Sequence, residues 1–384
     1  MKKQTVITIA SAFIGFLILL LIVLWLLSIM KGKNYTYEQV EDKIIEATST
    51  YYKNHPELLP SVDGKYNLAY ETLVENGYIE PLNKLLKDGD TCSAEINVIK
   101  KELDYSYIPR LTCSDKYSTR QLYEQVLSDN DVVTEGAGLY HDENGEYYFK
   151  GKVTNNHVVF GTVPKDADIS KAGQELVWQI ISIDENHNIK MRAMLSFERT
   201  VYDNRYNENK KADVGYNDYE TSVLKDFLKS FETRTDFLTS SQKAKLVKFN
   251  LCVNPRTEKD PSKDGSTECA VLSKDAMLFG TVSPYEYMRA SIDPKCDSLT
   301  DKSCGNLNYM SNLDYASSWS TIAAAENTHQ AYMFDGKSFM LSGVSNTKGV
   351  NLVVKLSEYT NFKSGDGTLE NPYRVYKAPA TKSK

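Results

Sequence analysis

The chain has 384 residues, of which 41% are apolar and 25% charged, with a formal net charge of −6. That balance fits a folded chain with a sizeable core. The negative charge argues against nucleic-acid binding, which needs basic patches, and the length supports two domains beyond any leading segment.

The first predicted element is an uncharged run over residues 5–30 (TVITIASAFIGFLILLLIVLWLLSIM). At 1.5 Å per residue a helix of that length spans about 39 Å, against roughly 30 Å of bilayer hydrocarbon. A cleaved signal peptide is the rival reading, but its apolar core is shorter and ends at a small-x-small site. Here the run passes through Leu26, Leu27, Ile29 and Met30 into Lys31, and no cysteine follows it. We therefore expect an uncleaved, single-span membrane anchor, with residues 1–4 as its cytoplasmic end. The flanking Lys2, Lys3, Lys31 and Lys33 nearly balance, so charge alone orients it weakly.

The cysteines orient it better. They fall as three close pairs, Cys92 with Cys113, Cys252 with Cys269, and Cys296 with Cys304. The clustering favours neighbour pairing, and no CxxC or CxxH points to zinc. Disulfides imply an oxidising compartment, hence a cytoplasmic N-terminus and extracellular C-terminal domains of a single-pass cell-membrane protein.

A first domain is expected over residues 31–117. Residues 35–53 carry Val40, Ile44, Ile45, Ala47 and Tyr51 at helical spacing, with Glu38, Glu41 and Asp42 early, and predict an amphipathic helix. Short helices are expected over 69–76, stopped by Gly77, and over 81–86. Residues 95–100 and 105–112 alternate as two strands, which the first cysteine pair would staple. Residues 118–138 read as a connector, helical over 118–127 and Gly-rich at its end.

The second domain, 139–376, reads as β-rich α+β. Strands are expected over 146–150, 157–160, 175–183, 188–196, 331–334, 339–341 and 350–356, and helices over 222–231 and 240–246. Asp184 to His187 forms a hairpin turn, and segments 273–277 and 284–289 bracket Gly280. Residues 377–384 form a disordered tail.

Two resemblances add to this reading. Tyr51-Tyr52-Lys53-Asn54, and Leu73-Val74-Glu75-Asn76-Gly77-Tyr78-Ile79 after it, resemble the head of type IV pilins and pseudopilins over residues 5–115. Gly15-Phe16 matches a prepilin cleavage step, but Leu20 stands where those proteins carry Glu. The second half, 139–375, resembles a bacterial domain family of unknown function, related to the C-type-lectin-like fold of the formylglycine-generating enzymes. The matching residues are Tyr147-Tyr148-Phe149-Lys150-Gly151, Asn155-Asn156-His157-Val158-Val159-Phe160, Val177-Trp178-Gln179-Ile180-Ile181-Ser182-Ile183, Gly215-Tyr216-Asn217-Asp218-Tyr219, and Gly365-Asp366-Gly367 through Asn371-Pro372-Tyr373. The resemblances imply a fold class of α+β: a transmembrane helix, a small pilin-like α/β domain, then a larger C-type-lectin-like domain.

Chemistry is sparse. His55, His141, His157, His187 and His329 share no metal-ligand spacing, and neither HExxH nor GxSxG occurs. No enzymatic activity, no metal and no cofactor are expected. Oxygen-rich turns such as Asp142-Glu143-Asn144-Gly145 leave calcium open, although tight turns need the same residues. The segment 306–319 is dense in Asn, Ser and Tyr, a composition suited to adaptable binding surfaces. Its Asn308, Tyr309, Asn312, Tyr315 and Trp319 are the candidate ligand-binding residues, and the Cys296/Cys304 pair would brace their base. The functional expectation is a membrane-anchored, non-catalytic binding or adhesion protein of a bacterial cell surface, with a glycan or a host or cell-surface protein as ligand. The alternatives are a minor pilin or pseudopilin-like subunit of a surface filament or secretion assembly, and an enzyme of the formylglycine-generating type.

Overall fold

The computed structural model describes residues 35–101, 104–211, 213–311 and 317–375. They divide into two compact units, with the division between Thr119 and Arg120.

In the first unit the elements are α1 (Tyr37–Asn54), β1 (Gly64–Ala69), α2 (Tyr70–Glu75), α3 (Leu82–Leu85), β2 (Cys92–Lys101), β3 (Asp104–Cys113) and β4 (Tyr117–Ser118). Helix α1 starts at a capping box: Thr36 Oγ1 accepts from the Gln39 N–H, and Gln39 Oε1 accepts from the Thr36 N–H. Its stripe of Val40, Ile44, Ala47 and Tyr51 is buried in a core shared with Leu73, Leu85, Ile96, Val98 and Leu111. The strands form an antiparallel sheet in the order β1–β2–β3–β4. Cys92 and Cys113 are direct cross-strand partners, and they are disulfide-bonded. The Glu41 carboxylate is buried and accepts from the Tyr117 hydroxyl at 2.9 Å and from the Thr119 hydroxyl, which ties α1 to the sheet. Strand β1 has no counterpart in the sequence reading. Five of its six residues are exposed, so no apolar alternation marks it, and its ladder to β2 places it.

The second unit holds α4 (Leu122–Asp129), β5 (Gly138–His141), β6 (Tyr147–Lys150), β7 (His157–Thr162), β8 (Glu175–Ile183), β9 (Ile189–Ala193), β10 (Phe197–Thr200), α5 (Val223–Ser230), α6 (Ser240–Lys243), β11 (Gly280–Thr281), α7 (Pro284–Ala290), β12 (Ser318–Ala323), β13 (Gln330–Phe334), β14 (Phe339–Gly343), β15 (Lys348–Val350), β16 (Leu352–Leu356), β17 (Phe362–Ser364) and β18 (Tyr373–Val375). One sheet runs β11–β16–β9–β8–β7–β18–β17, and the β5–β6 hairpin joins it along β8. A second runs β10–β15–β12–β13–β14. The stretch 350–356, one strand in the sequence reading, divides between the two sheets at Asn351. That buried residue donates its main-chain N–H to Ser318 Oγ at 2.6 Å and its side-chain amide to the Ala193 and Leu195 carbonyls. The expected connector is divided as well. Leu122 and Val126 of α4 have no exposed surface and belong to the core of the second unit.

One expectation is corrected. The architecture is α+β, but among the described residues no helix is long and apolar enough to cross a membrane. Helix α1, with 18 residues, is long enough, but it carries Glu38, Glu41, Asp42, Lys43 and Glu46, so only one face is apolar. The run 5–30 assigned to the span lies outside the described residues, as do the ends 1–4 and 377–384.

Candidate functional site

The predicted binding residues that the structure describes, Asn308, Tyr309 and Trp319, lie in the interior. Asn308 is wholly buried: its amide donates to the Tyr287 and Cys304 carbonyls, both at 2.9 Å, and its Oδ1 accepts from the Met310 N–H. Tyr309 is buried and donates its N–H to the Gly151 carbonyl at 2.8 Å. Trp319 is buried within β12, donates its indole N–H to the Thr200 carbonyl at 3.1 Å and packs edge-on against Tyr202. Asn312 and Tyr315 lie outside the described residues. An Asn- and Tyr-rich composition suits a buried polar seam as well as a binding surface, because Asn side chains can satisfy main-chain groups in the core. The Cys296–Cys304 disulfide closes the loop leading into this segment.

Of the histidines, His157 is buried between the Gly367 carbonyl, 3.1 Å from Nδ1, and the Gln179 side chain. Burial pushes its imidazole below the ordinary value, so it is a neutral core residue at physiological pH. Among the described residues no group of three or more His, Cys, Asp or Glu is placed to hold a metal ion.

The concave feature of the first unit is a groove of about 560 Å³, inside the range of roughly 300–1,000 Å³ typical of ligand sites. One wall is α1, which presents Lys43, Glu46, Ala47 and Thr50 at spacings of three and four residues, one face of the helix. The opposite wall is the turn after α2. Gly77 adopts φ +73°, which ends the helix, and the Gly77 and Tyr78 N–H groups donate back to the Val74 and Leu73 carbonyls. The chain then runs along the groove through Tyr78, Ile79, Glu80 and Pro81.

Both walls are held rigidly. The Tyr70 hydroxyl donates to the Glu80 carbonyl at 2.6 Å. The Tyr78 hydroxyl lies 3.2 Å from both Asn54 Nδ2 and His55 Nε2, and its ring meets Tyr51 edge-on. At the far end Tyr35 donates its N–H to the Leu85 carbonyl, and Lys43 Nζ sits 4.3 Å from the centre of its ring. The floor is apolar, from Ala47, Val74, Ile79 and Leu85. Glu46 and Glu80, both exposed, line the groove together with Lys43, and neither glutamate is ion-paired among the described residues. The lining therefore combines apolar side chains with two acidic residues and one basic residue.

None of these residues was read from the sequence as part of a binding site. The helical stripe of α1 was legible, but a groove needs the turn 74–81 set against it, and that is a tertiary fact. The combination of Tyr35, Lys43 and Glu46 beside an apolar stripe was the available signal. Compared with known protein families, curated proteins and solved structures, the chain matches none.

Proposed function

We propose that this chain is a non-catalytic binding protein that works outside the reducing cytosol and takes a segment of a partner protein in the groove of its first unit. The observation that carries this reading is the groove itself, lined by the apolar Ala47, Val74, Ile79 and Leu85 and by the acidic Glu46 and Glu80. Two acidic residues against one basic, Lys43, favour a lysine or arginine side chain, and the apolar lining takes an apolar neighbour of that residue. The compartment follows from the cysteines: all six are disulfide-bonded, and such bonds persist in oxidising surroundings.

The test is an array of synthetic peptides of varied charge, together with a glycan array, probed with the full disulfide-bonded chain. Peptides that join a basic and an apolar residue are the expected hits. Glu46→Lys, which reverses one carboxylate, and Thr50→Trp, which fills the groove from its exposed rim, each weaken capture by at least about tenfold, or about 1.4 kcal/mol. Hits that survive both substitutions unchanged would place binding elsewhere and sink the proposal.

A further inference from the structure

Three buried polar side chains lie in a row across the larger sheet of the second unit. His157 of β7 is the register partner of Gln179 on β8, and Gln179 is the partner of Arg192 on β9. Side chains opposite one another on neighbouring strands share a face. Hydrogen bonds run through the whole row. The Arg192 guanidinium donates to Gln179 Oε1 at 2.8 and 3.2 Å, Gln179 Nε2 lies 3.4 Å from His157 Nε2, and His157 Nδ1 lies 3.1 Å from the Gly367 carbonyl.

The two ends fix the direction of every bond. A guanidinium only donates, so the Gln179 oxygen faces Arg192 and its NH2 group faces His157. A carbonyl only accepts, so His157 carries its proton on Nδ1, and its Nε2 accepts from Gln179. A second proton, on Nε2, would point at the Gln179 NH2, and turning that amide over would point its NH2 at Arg192. The charged groups that bear on the ring are Arg192 from β9 and the exposed Glu370 from the loop 365–372. Burial pushes the imidazole down, main-chain bonds to Gly367 and Thr154 and the charge of Glu370 oppose that push, and Arg192 adds to it.

The Gly367 end of the row belongs to a strap over the ring. The Gly367 carbonyl also accepts from the His157 N–H at 2.8 Å. At φ +79° a Cβ on Gly367 would collide with the Asn155 carbonyl oxygen, so the strap comes this close only with glycine there. The Asp366 N–H donates to the Asn371 carbonyl and closes the strap, which leads into β18 beside β7. The sheet side of the ring is core, whereas Asp366, Leu369, Glu370 and Asn371 of the strap are exposed. The strap is therefore the side that yields when a charged ring seeks water.

We propose that His157 is an acid-sensitive latch: neutral, it holds the strap 365–372 on the sheet, and a proton on its Nε2 releases the strap. The folded chain binds that proton less readily than the unfolded one. The latch's contribution to stability is thus full above the ordinary imidazole value of about 6.5 and is lost as the pH falls below it.

The experiment follows the ring nitrogens of ¹⁵N-histidine and the main-chain amide exchange of the full disulfide-bonded chain by NMR, from about pH 8 to about pH 4. The expected result is a neutral ring protonated at Nδ1. On acidification, exchange of the His157 N–H should rise at least tenfold over its unstructured rate while the amides of β8 and β9 stay protected. His157→Asn identifies the His157 signals; its amide can still donate to Gly367 but cannot charge, so protection there becomes independent of pH. Gln179→Glu supplies a carboxylate that accepts from Arg192 and from a protonated Nε2 together. It should raise the His157 midpoint by at least about one pH unit, a tenfold change in proton affinity, and reverse the sign of the pH effect on the strap. A neutral ring protonated at Nε2, protection that persists to about pH 4, amides of β8 and β9 lost together with the strap, or a Gln179→Glu variant that titrates like the parent would each overturn the latch.

Discussion

Arg256 and Glu268 are both wholly buried and meet at 2.8 Å inside the loop closed by the Cys252–Cys269 disulfide. The Arg256 guanidinium also donates to the Asp260 and Ser262 carbonyls, and Glu268 Oε1 accepts from the Tyr285 N–H that opens α7. Burial pushes the Glu268 carboxyl above the ordinary range in spite of the guanidinium, so the loop depends on its cation. Arg256→Met leaves a buried carboxylate without its partner and should destabilise the second unit by about 3–5 kcal/mol in denaturant unfolding. The double variant Arg256→Met/Glu268→Leu should recover much of that loss. A single-variant loss below about 1 kcal/mol would show that the pair does not hold the loop. An arginine and a glutamate in a polar loop read as surface residues from sequence. Only the packing of the loop around them makes them core, and the same reversal carried Asn308 and Trp319 from expected surface to interior.

At the scale of elements, legibility followed burial on one face. The β2–β3 hairpin was readable because its residues alternate and its cysteines bracket it, and Cys92 pairs with Cys113 directly in the register. Helix α1 was readable from its stripe, whereas β1, exposed along nearly its whole length, was not. Segment 284–289 carries the start signals of a helix in Ser283, Pro284 and Glu286, and α7 uses all three in a capping box with proline at its first turn. Replacing Cys92 and Cys113 together by serine frees a loop with a sequence separation of 21. In the chain-entropy account this should cost the first unit about 3 kcal/mol and raise amide exchange along β2 and β3. Exchange rates unchanged from the oxidised parent would show that the sheet holds without the staple.

For the whole molecule, two separate cores lie on either side of Thr119. Calorimetry should therefore resolve two unfolding transitions. Cys92→Ser/Cys113→Ser should lower only one of them, and Arg256→Met only the other. A single transition that moves under both substitutions would contradict separate cores. The sequence by itself determined the mixed α+β class and the edges of elements with one apolar face, and it favoured the neighbour pairing of the cysteines that the structure shows. Each of these follows from periodicity or from chain proximity, both local properties. The tertiary structure alone decided which polar residues are buried, where one continuous stretch passes from one sheet to another at Asn351, and which charges face a groove. Those depend on surfaces brought together from distant parts of the chain, and no local pattern encodes what a residue will meet there.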